Sequence, residues 1–182
     1  SFQIAQEGLD HQISMPDVPP PDMLVSDVEL AEYFKERAPQ LYKTFTMPRP
    51  LEFRPVEKIN LLVPQKNPPL RHVWIKAKGE MPISQRLHHT VLAYASDYNL
   101  LTTATLPHFD KVKPNELFLA SLDHAMWFHR DFRIDEWLLY ALDRPSASNT
   151  RGFTRGNVFT QDGKLVASVV QEGLIRPFVQ SS

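Results

Sequence analysis

Four stretches of this 182-residue chain carry side chains able to do chemistry. In "VLAYASDYNLL", residues 91–101, one carboxylate, Asp97, sits in apolar, small and aromatic company. A carboxylate so placed carries a desolvation cost unless it is hydrogen-bonded, paired or poised as a base. It also belongs to "ASDYN", a combination that often bonds the backbone at a helix end, and such a cap is the commoner outcome. The second stretch, "ASLDHAMWFHRDFRIDEW" (120–137), gathers Ser121, Asp123, His124 and His129. On a strand Ser121 and Asp123 face one way and Leu122 and His124 the other, so a Ser121/His124 pair needs a bend. His124 and His129 face opposite sides, and His88 and His89 lie about 100° apart on a helix. These histidines therefore point to structural hydrogen bonding rather than to a metal site. In "TRGFTRGNVF", Arg151 and Arg155 share a strand face, where they can grip phosphate oxygens or simply be solvated. Finally, Gln171 interrupts the apolar "SVVQEGLI" with a group that both donates and accepts.

The elements that must position these groups follow from periodicity. Residues 1–24 read as a strand remnant, Ser1 to Ala5, and a linker, because "MPDVPPPDM" removes backbone donors and favours extended structure. Ser26 and Glu29 form a capping box, with Val25 and Leu30 as a hydrophobic staple, and open a helix from Asp27 toward Ala38. Pro39 weakens it, with a further turn available in "QLYKTF"; Leu30, Tyr33 and Phe34 are its packing residues. "LEFRPVE" and "HVWIKAKG" alternate as half-buried strands around the loop "LVPQKNPPL". Ser84 caps a helix through "QRLHHTVLAYASDYNLLTTA", apolar on every side from Val91 to Ala95 and so expected to be enclosed. Four strand-like runs follow: "LFLASLDHAMWFH", "EWLLYALDRPSA", "RGFTRGNVFTQ" and "KLVASVVQEGLI". The last two flank Gln161-Asp162-Gly163-Lys164, a hairpin turn. This order predicts an α+β, hot-dog domain, an antiparallel sheet curled around a long central apolar helix, preceded by an N-terminal linker and helix. The divisions are 1–24, 25–48 and 49–182.

Composition narrows the partners. Lys plus Arg (20) balances Asp plus Glu (21), which leaves no broad field for nucleic acid or an anionic membrane. The absence of cysteine removes thiolate nucleophiles, disulfides and Cys-based metal sites. No apolar stretch approaches the roughly 20 residues of a membrane-spanning helix. A cytoplasmic protein without metal, cofactor, nucleic acid or membrane partner is expected. The start "SFQIA", which lacks Met, suggests a processed or truncated piece.

Taken together, "VLAYASDYNLL", "ASLDHAMWFHR", "SASNTRGFTRGNVFTQDGKLVAS" and "VVQEGLIRP" resemble the C-terminal half of the acyl-CoA thioesterase II family, the double hot-dog thioesterases. The resemblance runs from about Ser1 to Phe178. It implies hydrolysis of fatty acyl-CoA to fatty acid and CoA by a water that an Asp, a Thr or Ser, and a Gln orient jointly. Asp97 matches the Asp of "YASD", Ser121 the hydroxyl residue before "LDH", and Gln171 the Gln of "VQEG". Ser121 stands where Thr is usual, keeping the hydroxyl but losing the methyl that stiffens χ1. Arg151 and Arg155 are the weaker candidates for the CoA phosphates. Members of the family carry a first hot-dog half, whose last strand "SFQ" resembles, so the chain reads as a fragment. The alternative is a non-catalytic acyl-CoA-binding or assembly half. Either way it is expected to pair with another hot-dog half or to form a homo-oligomer. A hot-dog dehydratase ranks last, since no His replaces Asp97 or Ser121.

Overall fold

Runs of alternating apolar and polar residues form strands wherever the prolines permit, and seven of them join one antiparallel sheet. The computed structural model describes residues 8–112 and 116–178; the strand expected at Ser1 to Ala5 lies outside them. The strands are β1 (Leu51–Pro55), β2 (Leu70–Ala77), β3 (Leu117–Ser121), β4 (Ala125–Phe128), β5 (Leu138–Ser148), β6 (Arg151–Thr160) and β7 (Leu165–Pro177). Their order is β1-β2-β5-β6-β7-β3, with β4 also paired to β7. Asn149 and Thr150 join β5 to β6, both at positive φ (50° and 61°), the handedness that matches strand twist. The expected Asp-Gly turn joins β6 to β7, with Gly163 at φ 90° and its N–H donating to Thr160 O at 2.9 Å.

On the inner face of the curl lie α3 (Gln85–Ser96) and α4 (Leu100–Thr105), where one uninterrupted helix over 85–104 was expected. The chain breaks at Asp97-Tyr98-Asn99, with Asn99 at φ 67°, because a short polar side chain tolerates the left-handed region. Ser84 occupies the N-cap position of α3, yet its side chain makes no capping bond. Beyond the break α4 presses close to β7. A Cβ on Gly173 would lie 2.3 Å from Leu101 Cδ1, so glycine lets the helix approach without displacing that side chain.

Leu92 and Ala95 of α3 are fully buried, in one core with Phe53, Ile75, Leu138 and Tyr140. The opposite side of α3 is open, with Ala93 exposed and Tyr94 52% exposed. The expectation of an enclosed helix is therefore corrected for Val91 to Ala95: a single sheet covers only one side of a helix. The outer face of the sheet carries a second core of Trp74, Leu139 and Phe159, over which Met15, Val18 and Leu24 of the linker pack. Trp74 Nε1 donates to Pro19 O at 2.9 Å, which fastens the proline-rich segment as a strap.

The expected capping box is present: Glu29 N–H donates to Ser26 Oγ (3.2 Å) and Ser26 N–H to Glu29 Oε2 (2.8 Å). It opens α1 (Asp27–Ala31), which tightens into a 3-10 turn over Glu32–Phe34 instead of continuing to Ala38. Pro39 then starts α2 (Pro39–Thr46) at the first helical position, where its missing N–H costs nothing. Of the three expected packing residues Phe34 is buried and stacks on Phe45, whereas Tyr33 is exposed. Among the described residues, no helix is long and apolar enough to cross a membrane.

Candidate active site

The break after α3 delivers Asp97 to the edge of the sheet, where β3 ends at Ser121 and β7 presents Gln171 on its inner face. Gln171 is fully buried, while Asp97 and Ser121 are exposed. The Gln171 amide nitrogen donates to Asp97 Oδ1 at 2.8 Å and to Ser121 Oγ at 3.0 Å. Both amide hydrogens are thereby used, and the buried Oε1 has no donor. Asp97 thus stands at a helix end and also meets Gln171: the capping position is what carries the carboxylate to its partner. Around them opens a pocket of about 290 Å³, lined by Ala93, Asp97, Ser121, Leu122, His124 and Gln171, with Asp123 at its side.

His124 reaches this pocket because the run from Leu117 to His129 is not one strand, as expected, but two. Ser121 pairs with Gly173 and Ala125 with Val170, so three residues oppose two. The N–H groups of Leu122 and Asp123 both donate to Glu172 O (3.0 and 3.3 Å), and Glu172 N–H donates to Asp123 Oδ1 at 2.7 Å. This bulge shifts the alternation by one residue. His124 consequently shares the pocket with Ser121, its Nε2 lying 3.0 Å from Ser96 Oγ at the end of α3. Strict alternation placed it on the other face; the only signal in the sequence was the "LDH" triplet itself.

Behind the site, Tyr140 OH donates to Ser96 O at 3.0 Å. Burial, reinforced by the Asp97 charge, pushes this phenol well above its ordinary pKa and keeps it a donor. The Tyr140 ring fits only because position 156 is glycine, where a Cβ would lie 2.2 Å from the ring. The other histidines are elsewhere: His129 Nε2 lies 2.9 Å from Ser168 Oγ, His88 Nδ1 accepts from Ile134 N–H at 3.3 Å, and His89 stacks on Phe128. Among the described residues, no group of three or more His, Cys, Asp or Glu could hold a metal ion.

The structure does not bring Arg151 and Arg155 to the pocket. They share an exposed face, as strand spacing requires, but Gly152 and Thr154 between them are buried on the helix side. The sheet therefore separates them from Asp97. Arg151 pairs with Glu172 at 3.1 Å, and Arg155 makes two bonds to Asp143, at 2.9 and 2.7 Å.

A carboxylate, a hydroxyl and an amide converging on an open pocket can hold and direct one water. Oδ2 of Asp97 is free to accept a proton, and Ser121, whose oxygen already accepts from Gln171, has its own hydrogen to offer. No covalent intermediate is needed for such a set to act on an electrophilic carbonyl.

The chain is similar to known proteins. The family described as acyl-CoA thioesterase matches residues 40–174. Acyl-coenzyme A thioesterase 8 of Mus musculus is 40% identical over 97% of this chain and 57% of its own length. Acyl-CoA thioesterase 2 of Haemophilus influenzae is 34% identical over 97% of this chain and 62% of its own. The crystal structure of acyl-CoA thioesterase II TesB2 from Mycobacterium marinum superposes with a TM-score of 0.75 at 39% identity, over 97% of this chain and 61% of that one. The chain thus spans about three-fifths of the length of these relatives. A hot-dog protein from Alicyclobacillus acidocaldarius, 19% identical with a TM-score of 0.67, shares the fold. With a hot-dog sheet curled around α3 and α4 and with relatives of this similarity, the chain belongs to the acyl-CoA thioesterase family.

Proposed function

We propose that this protein hydrolyses fatty acyl-CoA to free fatty acid and CoA through a water that Asp97, Ser121 and Gln171 orient together. The observation that carries the reading is the double donation by Gln171, which holds a carboxylate and a hydroxyl on either side of one amide. Asp97 takes a proton from the water as its oxygen attacks the thioester carbonyl. The tetrahedral intermediate then expels the CoA thiolate, which recovers that proton. Ser121 and Gln171 fix the direction of attack, so the geometry supplies orientation in advance. Segment 1–24 is a remnant strand and proline-rich linker, 25–48 a helical linker and 49–182 the thioesterase domain, in a cytoplasmic protein.

The pocket is open on the side of α3 and β4, where Tyr94 (52%), Leu122 (54%) and Phe128 (39%) are exposed. This apolar face favours pairing with a second hot-dog unit, which would close the pocket and shelter the acyl chain. In a steady-state assay of the full-length protein with acyl-CoA and a thiol reagent, Asp97→Ala and Gln171→Ala each lower kcat by about 10²–10⁴-fold. Full activity in both variants would refute the assignment. In the same assay, a role for Arg151 and Arg155 at the CoA phosphates predicts a raised KM with kcat unchanged when either becomes Gln. An unchanged KM removes them from the reading. Fractionation of cells checks the location.

A further inference from the structure

Under the linker helices lies a second cavity, of about 230 Å³, walled by Leu30, Phe34, Phe45, Ile59 and Leu61 and bordered by Arg71. The Arg71 side chain makes no hydrogen bond or close ion pair with the described residues; its Nε is buried without an acceptor, and the charges of Glu57 and Asp27 favour it only from a distance. Across the β2–β5 ladder Arg71 faces Leu142 and Leu70 faces Asp143, which sets Arg144 beside it. Arg144 is 7% exposed; its Nε and Nη1 have no partner, and Nη2 makes one long bond, 3.5 Å, to Leu70 O. The Arg71 charge is felt at Arg144. Burial first, then the Arg71 charge, brings Arg144 down to about 10, and burial lowers Arg71 as well. Both remain cations at neutral pH.

Two carboxylates, Asp27 and Glu57, line the same cavity, Asp27 with its buried Oδ1 unpartnered. Asp27 is ion-paired with Arg49. Glu57 accepts from the backbone N–H of His72 at 2.7 Å and lies 2.6 Å from its Nδ1. In the lining Lys58 and Arg71 balance Asp27 and Glu57, and Arg49 and Arg144 beside it supply a positive excess. Charge with unused donors, taken out of water, is costly unless an anion completes it. An apolar wall beside a free guanidinium fork selects a planar anion that carries a hydrocarbon tail. The cavity is smaller than the roughly 300–1,000 Å³ of pockets for drug-sized ligands, so the tail must be short.

We propose that this cavity is a binding site for a short- to medium-chain aliphatic carboxylate, with its headgroup on Arg71 and its chain against Leu30, Phe34, Phe45 and Leu61. The ligand is of the same chemical class as the acid that the proposed hydrolysis releases. The inference does not rest on that activity, because the site is read from a different set of residues and its test is direct binding.

The test is calorimetric titration of the full-length protein with octanoate. Saturable binding is expected, at least tenfold weaker in Arg71→Gln and unchanged in Asp97→Ala. Octanol and inorganic phosphate, each supplying half of the ligand's chemistry, bind at least tenfold more weakly than octanoate. Folding of the Arg71→Gln variant is checked by its Tm. Should it not fold, NMR contacts from the octanoate chain to the Phe34 and Phe45 rings decide the matter in the unmodified protein. Four results would overturn the proposal: no saturable octanoate binding; equal binding by Arg71→Gln; loss with Asp97→Ala, which puts octanoate in the catalytic pocket; or phosphate binding as tightly as octanoate. Chain contacts only to residues outside this cavity would overturn it equally.

Discussion

Gln171 spends one amide hydrogen on Asp97 and the other on Ser121. Neither contact leaves slack for the hydroxyl to rotate far, so the stiffness of Ser121 matters. Ser121→Thr adds the methyl that restricts χ1. In the steady-state assay it is expected to raise kcat severalfold, with KM little changed; a fall in kcat would show that the pocket has no room for the methyl. A second residue pair, remote from the site, sets an acid limit on the fold. Burial would push the Glu57 carboxyl up, but its bonds from the His72 side chain and backbone outweigh that and hold it below its ordinary 4.5. A carboxyl depressed in the folded state contributes stability above its unfolded pKa and loses it as pH falls through the folded value. Glu57→Gln should therefore lower Tm at neutral pH by a margin that shrinks as pH falls below 4.5. A margin independent of pH would assign the loss to packing.

At the scale of elements, the site depends on two irregularities. One is the break between α3 and α4, where Asn99 takes a left-handed conformation and α3 ends with Asp97 at the sheet. The other is the bulge at Leu122 to His124, which ends β3 at Ser121 and turns His124 inward. Tyr140 braces the first from beneath through Ser96 O, over the bare position of Gly156. Gly156→Ala should displace that ring and cost about 1–3 kcal/mol, the usual penalty for overpacking a core. Denaturant unfolding measures the loss, and kcat should fall with it because α3 shifts. Unchanged stability would mean that the ring has another place to go. Periodicity predicted six strand runs, one of which divides into β3 and β4, and the hairpin at Asp162-Gly163, but it could not predict these two irregularities. Both are local exchanges of backbone hydrogen bonds that leave the hydrophobic pattern almost untouched.

At the scale of the whole molecule, the sheet is covered on its outer face by the proline strap but is bare along β3 and β4. Leu122 and Phe128 lie exposed there beside the open side of α3, and Phe118 and Trp127 on the opposite face of the same edge. Strand edges with apolar side chains invite a partner. Replacing both Leu122 and Trp127 with Glu should leave the fold intact by circular dichroism. In sedimentation it should abolish pairing, whether with another hot-dog half or with a second copy. Persistence of the pair would place the contact elsewhere. The relatives are longer than this chain by roughly two-fifths of their length, which leaves room for such a half.

What the sequence determined by itself was the set of elements and the identity of the reactive groups. Apolar alternation is a property of neighbouring residues, and motifs such as "YASD", "LDH" and "VQEG" can be read without coordinates. Asp97, Ser121 and Gln171 were matched to their roles by resemblance, since nothing in their spacing of 24 and 50 residues along the chain shows that they meet. Tertiary structure decided the rest. It put one amide between two partners, moved His124 across the sheet by a single inserted residue, and kept Arg151 and Arg155 on the far face against carboxylates. It also left Arg71 and Arg144 side by side with donors unused, a juxtaposition between β2 and β5 that no local pattern records. The physical reason is common to all four: chemistry depends on distances of about 3 Å between residues far apart in the chain, and only the packed fold sets those distances.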